Sequence, residues 1–342
     1  MNNHTAAFLM PLKLSGDETE LRHLMESVAS IKQQTDSNWV LIIVDDYSHN
    51  DKVYDALELI KQDLKEKVYV IYSHQNYGAG TARNKGIRLA NELGVPFILY
   101  NDSDDLSDPE RLRLVREAFE ADETVNVVYT SFDVIDENDK LVPLDQINPT
   151  VREIIEGHQV DVVEGECAWI AIAAKKKYTN LTSCTAVKTS LAVEEPFPKS
   201  SVSEDCHTWL RYGAHPGKFV FLREIKGKYR ICAGTASRSR SSNDDFYQKM
   251  FEMDSSGFEA AMELAKKYDT MGGLDEDDLR AAFYVRLALC LIHGGEETYC
   301  KKALAVASDI SREQTLRLID LLYCEEEAKL RMKELVGEES AQ

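Results

Sequence analysis

Five short apolar runs, separated by stretches with a helical hydrophobic stripe, constrain the fold of this 342-residue chain more than any other feature. The runs are Ala7–Met10, Trp39–Val44, Val68–Tyr72, Phe97–Tyr100 and Val125–Phe132. Most are continuous rather than alternating, as strands buried on both faces must be. Between them, Leu21, Leu24, Met25, Val28 and Ile31 recur at helical spacing, as do Val53, Leu57, Ile60 and Leu64. Thr81 to Leu93 reads as a third helix, and Leu112, Val115 and Phe119 mark a fourth. Strands alternating with amphipathic helices predict an α/β fold, a Rossmann-like and mostly parallel sheet flanked by helices. Pro11 predicts an early stop for the first strand.

The pattern then changes. Residues 140 to 200 are irregular, with a strand predicted from Thr182 to Val193 and a turn from Glu194 to Pro198. Ser203-Glu204-Asp205 has the composition of a helix start. Beyond Asn243 only helical periodicity remains, punctuated by Gly272-Gly273 and Gly294-Gly295. The expected organisation is a domain over residues 1–243 and an acidic, all-helical C-terminal extension over 244–342.

Charge narrows the partners. A net charge of −19 argues against nucleic acid. No apolar stretch approaches the roughly 20 residues that span a bilayer, and the start of the chain lacks the pattern of a signal peptide. A cytoplasmic protein is the expectation, peripheral to a membrane at most. Seven cysteines without a CxxC pair read as reduced thiols. Eight Lys/Arg stand against Glu224 alone between Arg211 and Arg240. Such a basic island in an acidic protein predicts a local anionic ligand, and a diphosphate suits it. A solvated basic face is the plainer explanation.

The acids fall where a parallel sheet binds ligands, at the carboxyl ends of strands. Asp45-Asp46 follows the second run, and Asp102-Ser103-Asp104-Asp105 follows the fourth. Carboxylates so close raise one another's pKa unless a cation joins them. Mg²⁺ or Mn²⁺ is bound by one or two carboxylates together with phosphate oxygens, which predicts a metal at Asp102, Asp104 and Asp105. An acidic helix start before Pro109 accounts for Asp108 but not for the three acids before it. Asp45 or Asp46 is placed to accept an N–H from a nucleobase edge such as uracil N3, or to cap a turn. Asn76-Tyr77-Gly78-Ala79-Gly80 offers close backbone approach, and Arg83 follows on a helix within reach of a phosphate or sugar hydroxyl. The spacing is not that of a dinucleotide fingerprint.

Taken together, Val44-Asp45-Asp46-Tyr47-Ser48, Asn76-Tyr77-Gly78 with Ala82-Arg83-Asn84-Lys85-Gly86-Ile87, and Asp102-Ser103-Asp104-Asp105 with Pro109 resemble a family 2 glycosyltransferase. The resemblance is strong over about residues 5 to 135, thinner over 180 to 240 and absent from the helical tail. It implies a GT-A fold, a nucleotide-diphosphate sugar donor, Mn²⁺ or Mg²⁺, and inversion at the anomeric carbon. It implies that Asp46 or Asp45 contacts the base and that Asp102 and Asp104 or Asp105 handle ribose and metal, with Asn76, Gly78, Arg83 and Ser103 as further donor-site candidates. Glu204-Asp205-Cys206-His207-Thr208-Trp209-Leu210-Arg211 fits the family's acidic pair before a helix, which makes Asp205 the candidate catalytic base. Tyr229 to Arg238 resembles the segment that closes over the diphosphate, with Arg230 and Arg238 as clamps. Cys232 stands where many relatives have His, and a thiol serves a hard cation poorly.

The expected reaction is transfer of a sugar, from a UDP-sugar by preference, to a carbohydrate, lipid-linked, protein or small-molecule hydroxyl in glycan biosynthesis. A catalytically idle sugar-nucleotide binder and a nucleotidyltransferase are the rivals. The second is disfavoured because Pro11-Leu12-Lys13-Leu14 makes a poor triphosphate cradle. Apolar stripes in the tail suit packing together with a homodimer.

Overall fold

The computed structural model describes residues 5–147, 149–175, 179–231, 245–322 and 324–338. Its centre is a seven-stranded sheet in the order β3-β2-β1-β4-β6-β5-β7. The strands are β1 (Ala6–Leu12), β2 (Trp39–Asp45), β3 (Val68–Tyr72), β4 (Phe97–Tyr100), β5 (Val125–Ile135), β6 (Thr185–Lys188) and β7 (Lys218–Arg230). Only β6 runs antiparallel to its neighbours. The fold is the expected mixed α/β arrangement with a mostly parallel sheet flanked by helices.

Strands β1, β2 and β4 are buried along their whole length, which is why their sequences are continuous apolar runs. Side chains of β1 alternate between two cores. Phe8 and Met10 join the layer of α1 (Glu18–Lys32), α2 (Asp51–Leu64) and α4 (Arg111–Ala121), while Ala7 and Leu9 join the opposite one. That opposite layer holds α3 (Ala79–Glu92), α6 (Ala168–Ala174), α7 (Thr189–Glu194) and α8 (Glu204–Ala214). The remaining early helix, α5 (Pro149–Val160), packs with β5 in a smaller third core.

Pro11 does not stop β1. The Leu9 carbonyl accepts the Asn101 N–H from the β4 side, and the Leu12 carbonyl accepts the Asp46 N–H from the β2 side. Alternation therefore turns the donorless nitrogen of Pro11 toward β4, which has already ended at Tyr100. No ladder bond is lost.

The stretch from Thr182 to Pro198 also departs from expectation. Its strand is only Thr185–Lys188, and the second half of the expected strand is helix α7 instead. Five described bases of the basic island pair with carboxylates of the chain itself. Arg211 pairs with Glu195, Lys218 with Asp122, Arg223 with Glu164, Lys226 with Asp133, and Arg230 with Glu26 and Asp139. These bases are spent on acids from distant parts of the chain, which sequence counting cannot anticipate. The last of the strands, β7, runs through that island.

Beyond residue 245 the chain is helical: α9 (Phe246–Tyr268), α10 (Glu276–His293), α11 (Glu297–Leu321, kinked at Ser311) and α12 (Glu326–Glu338). These helices do not stand apart. Phe258, Met262, Phe283 and Leu287 belong to the same continuous core as Trp209, Trp169 and Leu9. Among the described residues, no helix is long and apolar enough to cross a membrane.

Candidate active site

The carboxyl ends of β1, β2 and β4 open on one cleft of about 500 Å³. Its lining contains Asp46, Asn76, Gly78, Arg83, Asp102, Ser103 and Asp104, seven residues singled out from the sequence. Parallel strands deliver them: Leu12 lies in register with Asp45, and Leu9 with Tyr100, so the loops that follow all emerge at the same edge.

Each acid has its own environment. The buried Asp46 carboxylate accepts the backbone N–H of Tyr77 at 2.9 Å and of Gly78 at 2.6 Å. It thus ties the β3–α3 loop to the end of β2. Gly78 sits at φ +89°, a conformation that other residues adopt only with strain. Asn76 supports the same turn by accepting the Gly78 N–H at 3.2 Å. Asp45 lies behind the cleft, its carboxylate accepting the Ser48 N–H at 2.9 Å and the Ser48 hydroxyl at 2.6 Å. Of the two, Asp46 faces the ligand space.

The Asp102–Asp105 segment is divided by depth. Asp102 and Asp104 line the cleft, whereas Asp105 is buried beneath it. One Asp105 oxygen accepts the Arg230 N–H at 2.9 Å, and the other is buried with no hydrogen-bond partner among the described residues. Burial, then the charges of Asp104 and Asp102, push the Asp105 carboxyl well above the usual range. Asp105 is therefore a floor to the site, held apart from the cleft surface.

Arg83 is the hub. Its guanidinium donates to Asp102 at 2.8 Å and to Glu204 at 3.3 Å, and it lies over the Phe197 ring. Burial opposes its charge, but Asp102 and Glu204 outweigh that and raise its pKa above the ordinary arginine value. Two acidic motifs a hundred residues apart in sequence thus meet across one side chain. Glu204 opens α8, with Asp205 next to it, whose carboxylate accepts the Cys206 N–H at 2.8 Å. Burial, then the Asp205 charge, push the Glu204 carboxyl up to about 7. Ser203 does not cap the helix: it sits at φ +54° with no side-chain capping bond. Strain of this kind in a non-glycine residue is characteristic of functional turns.

Arg230 is not in the cleft. Its side chain is fully buried and donates to Glu26 at 3.1 Å, to Asp139 at 2.6 Å, and to the carbonyls of Asp104 and Asp136. It holds the acidic loop from behind. Arg238 and Cys232 lie outside the described residues.

Sequence reasoning passed over Lys13, Asp17, Glu20, His23 and Glu137, which also line the cleft. The rule that ligands sit beyond strand carboxyl ends points to Lys13 and its neighbours; nothing local marks Glu137. Asp17, Glu20, Asp46, Asp102, Asp104 and Glu137 outnumber Lys13, Arg83 and His23, and Arg83 is already paired. Hard oxygen donors of this kind suit Mg²⁺ or Mn²⁺. The exposed faces of Asp102 and Asp104 fit that role.

A sequence model of Glycosyl transferase family 2 matches residues 19–179. An uncharacterized glycosyltransferase of Methanocaldococcus jannaschii is 27% identical over 213 residues, 61% of this chain and 66% of that relative's length. Among solved structures, S. aureus TarS in complex with UDP-GlcNAc superposes with a TM-score of 0.54 at 15% identity, covering 98% of this chain and 91% of that one. A mannosyltransferase from Pyrobaculum calidifontis in complex with GDP-Man and Mn2+ superposes with a TM-score of 0.51 at 14% identity, covering 97% and 84%. The solved structures share the fold, and the match to glycosyl transferase family 2 spans residues 19–179, which supply most of the cleft.

Proposed function

We propose that this chain transfers a sugar from a nucleotide-diphosphate sugar to an acceptor hydroxyl, with inversion at the anomeric carbon and with Asp205 as the base. The observation that carries this reading is the Asp102–Arg83–Glu204 bridge, which joins the donor-side carboxylates to the helix bearing Asp205. The acceptor oxygen attacks the anomeric carbon from the face opposite the diphosphate. The bond to the diphosphate breaks with its electron pair, and the hydroxyl proton passes to a carboxylate oxygen of Asp205. Asp102 and Asp104 are the residues that hold Mn²⁺ or Mg²⁺, which when bound supplies charge stabilisation to the leaving diphosphate. Asp46 keeps lone pairs beyond those used by Tyr77 and Gly78, and these suit a base-edge N–H such as that of uracil. A UDP-sugar is accordingly the preferred donor; relatives of this fold bind UDP-GlcNAc in one case and GDP-Man in another. In this reading residues 1–243 are the catalytic domain, and 244–342 are a helical extension.

Calorimetric titration of UDP and GDP, with and without Mn²⁺, tests the donor site. The expected result is Mn²⁺-dependent UDP binding that Asp104→Ala weakens about 30-fold or more, equivalent to about 2 kcal/mol. Absence of nucleotide binding under every metal condition would sink the reading.

A further inference from the structure

Helix α8 carries Glu204 and Asp205 on its first turn, yet the contacts that fix its axis come from elsewhere in the chain. At Gly257 of α9 a Cβ atom would lie 2.8 Å from the His207 Cα and 3.0 Å from its Cγ. The two helices meet with backbone against backbone, two residues from Asp205. The His207 ring is largely buried and accepts the Arg211 Nε–H at 3.0 Å, so it is not free to swing aside. At the other end of α8, the Thr270 hydroxyl donates to the Ala214 carbonyl at 2.6 Å. Thr270 itself is held by the Trp169 indole, which donates to its carbonyl at 3.0 Å. Gly213 completes the clamp, since a Cβ there would meet the Trp169 backbone nitrogen at 2.5 Å. The family match ends at residue 179, before α8 and the helix that grips it.

We infer that the helical extension positions the base: Gly257 and Thr270 are positioning residues that set where Asp205 lies relative to the donor cleft. The inference rests on the reading of Asp205 given above. Proton transfer needs hydrogen-bond reach, and a displacement of about 1 Å costs on the order of 100-fold in rate. A methyl group at 257 cannot be absorbed by a backbone neighbour and must drive α9 and α8 apart. The donor-side residues Asp46, Asn76, Asp102 and Asp104 lie on strand ends and loops outside this contact.

The experiment compares Gly257→Ala, Thr270→Val, Thr270→Ser and Asp205→Asn in the full chain. The readouts are kcat for UDP release from the fastest UDP-sugar of a panel, Kd for UDP with Mn²⁺, and the urea midpoint. Gly337→Ala is the control, because nothing lies within 4 Å of a Cβ at that helical position. Gly257→Ala should lower kcat about 10- to 100-fold with Kd for UDP within about twofold of wild type. Thr270→Val should lower kcat several-fold and Thr270→Ser should restore it, while Gly337→Ala changes neither quantity. Should Gly257→Ala not fold, the Thr270 pair decides alone. Wild-type kcat in both Gly257→Ala and Thr270→Val, or a parallel loss of kcat and UDP affinity, would overturn the positioning role. Turnover surviving in Asp205→Asn would instead overturn the base assignment on which it rests.

Discussion

The rim of the cleft and the helical layer behind α8 are built on opposite principles. The rim concentrates carboxylates, leaves an Asp105 oxygen buried without a described partner, and holds Tyr47, His49 and Ser203 at positive φ. Every one of these features costs stability. Behind it, Phe258 stacks on Phe283 with ring centroids 4.2 Å apart, and Met262, Ala265, Leu287 and Leu291 close a core with almost no exposed surface. A protein with a strained, charged edge needs stability from elsewhere, and here α9 is pressed against α8, which carries part of that edge, while α10 packs on α6. Chemistry and stability are assigned to different layers, which meet at α8.

That division can be broken from either side. The largest effect is expected at the rim: Asp205→Asn should lower turnover about 10²- to 10⁴-fold, with Mn²⁺–UDP affinity and urea midpoint nearly unchanged. A matching loss of affinity would mean that Asp205 binds the donor instead. In the helical layer, Phe283→Ala should cost about 3–5 kcal/mol of stability, read from the urea midpoint, with the Kd for UDP of the folded protein unaltered. An altered Kd would show that the layers are not separable.

A finer test lies at their junction. Burial, and then the Asp205 charge, push Glu204 up to about 7 from an ordinary 4.5. Between those values the folded protein keeps a proton that the unfolded chain has released. The stability contributed here is therefore lost as pH rises through that window. The urea midpoint of Glu204→Gln relative to wild type should rise as pH goes from about 5 to about 7.5; a constant difference contradicts the shift. The smallest effect belongs to the basic island. Arg223 is largely exposed in its pair with Glu164, so Arg223→Gln should leave both the midpoint and UDP binding unchanged within error. A clear loss of UDP affinity would restore the island as a ligand site.

Legibility in the sequence followed locality. Strands β1, β2 and β4 announce themselves because each is a short apolar run buried along its length, and β3 because it is such a run at the sheet edge. The acids of the cleft were visible for a similar reason: Asp46, Asp102 and Asp104 each stand a few residues past such a run, at the carboxyl edge of the sheet. The length of β1 was misread because a proline's effect depends on which neighbour its missing donor faces. The stretch after Thr182 was misread because a four-residue strand and a six-residue helix are too short to show a period.

By itself, then, the sequence determined the layer type, the edge at which the cleft opens and the acids that stand there, since these follow from local periodicity and from strand ends. Only the tertiary structure decided which charged groups are spent on one another. Arg83 reaches Asp102 and Glu204, Arg230 disappears behind the acidic loop, and Arg211, Lys218, Arg223 and Lys226 are paired with acids elsewhere in the chain. It also decided that the tail lies against α8, through a glycine that no periodicity singles out. Pairing and close approach depend on distances between segments remote in sequence, and those distances exist only once the chain has folded.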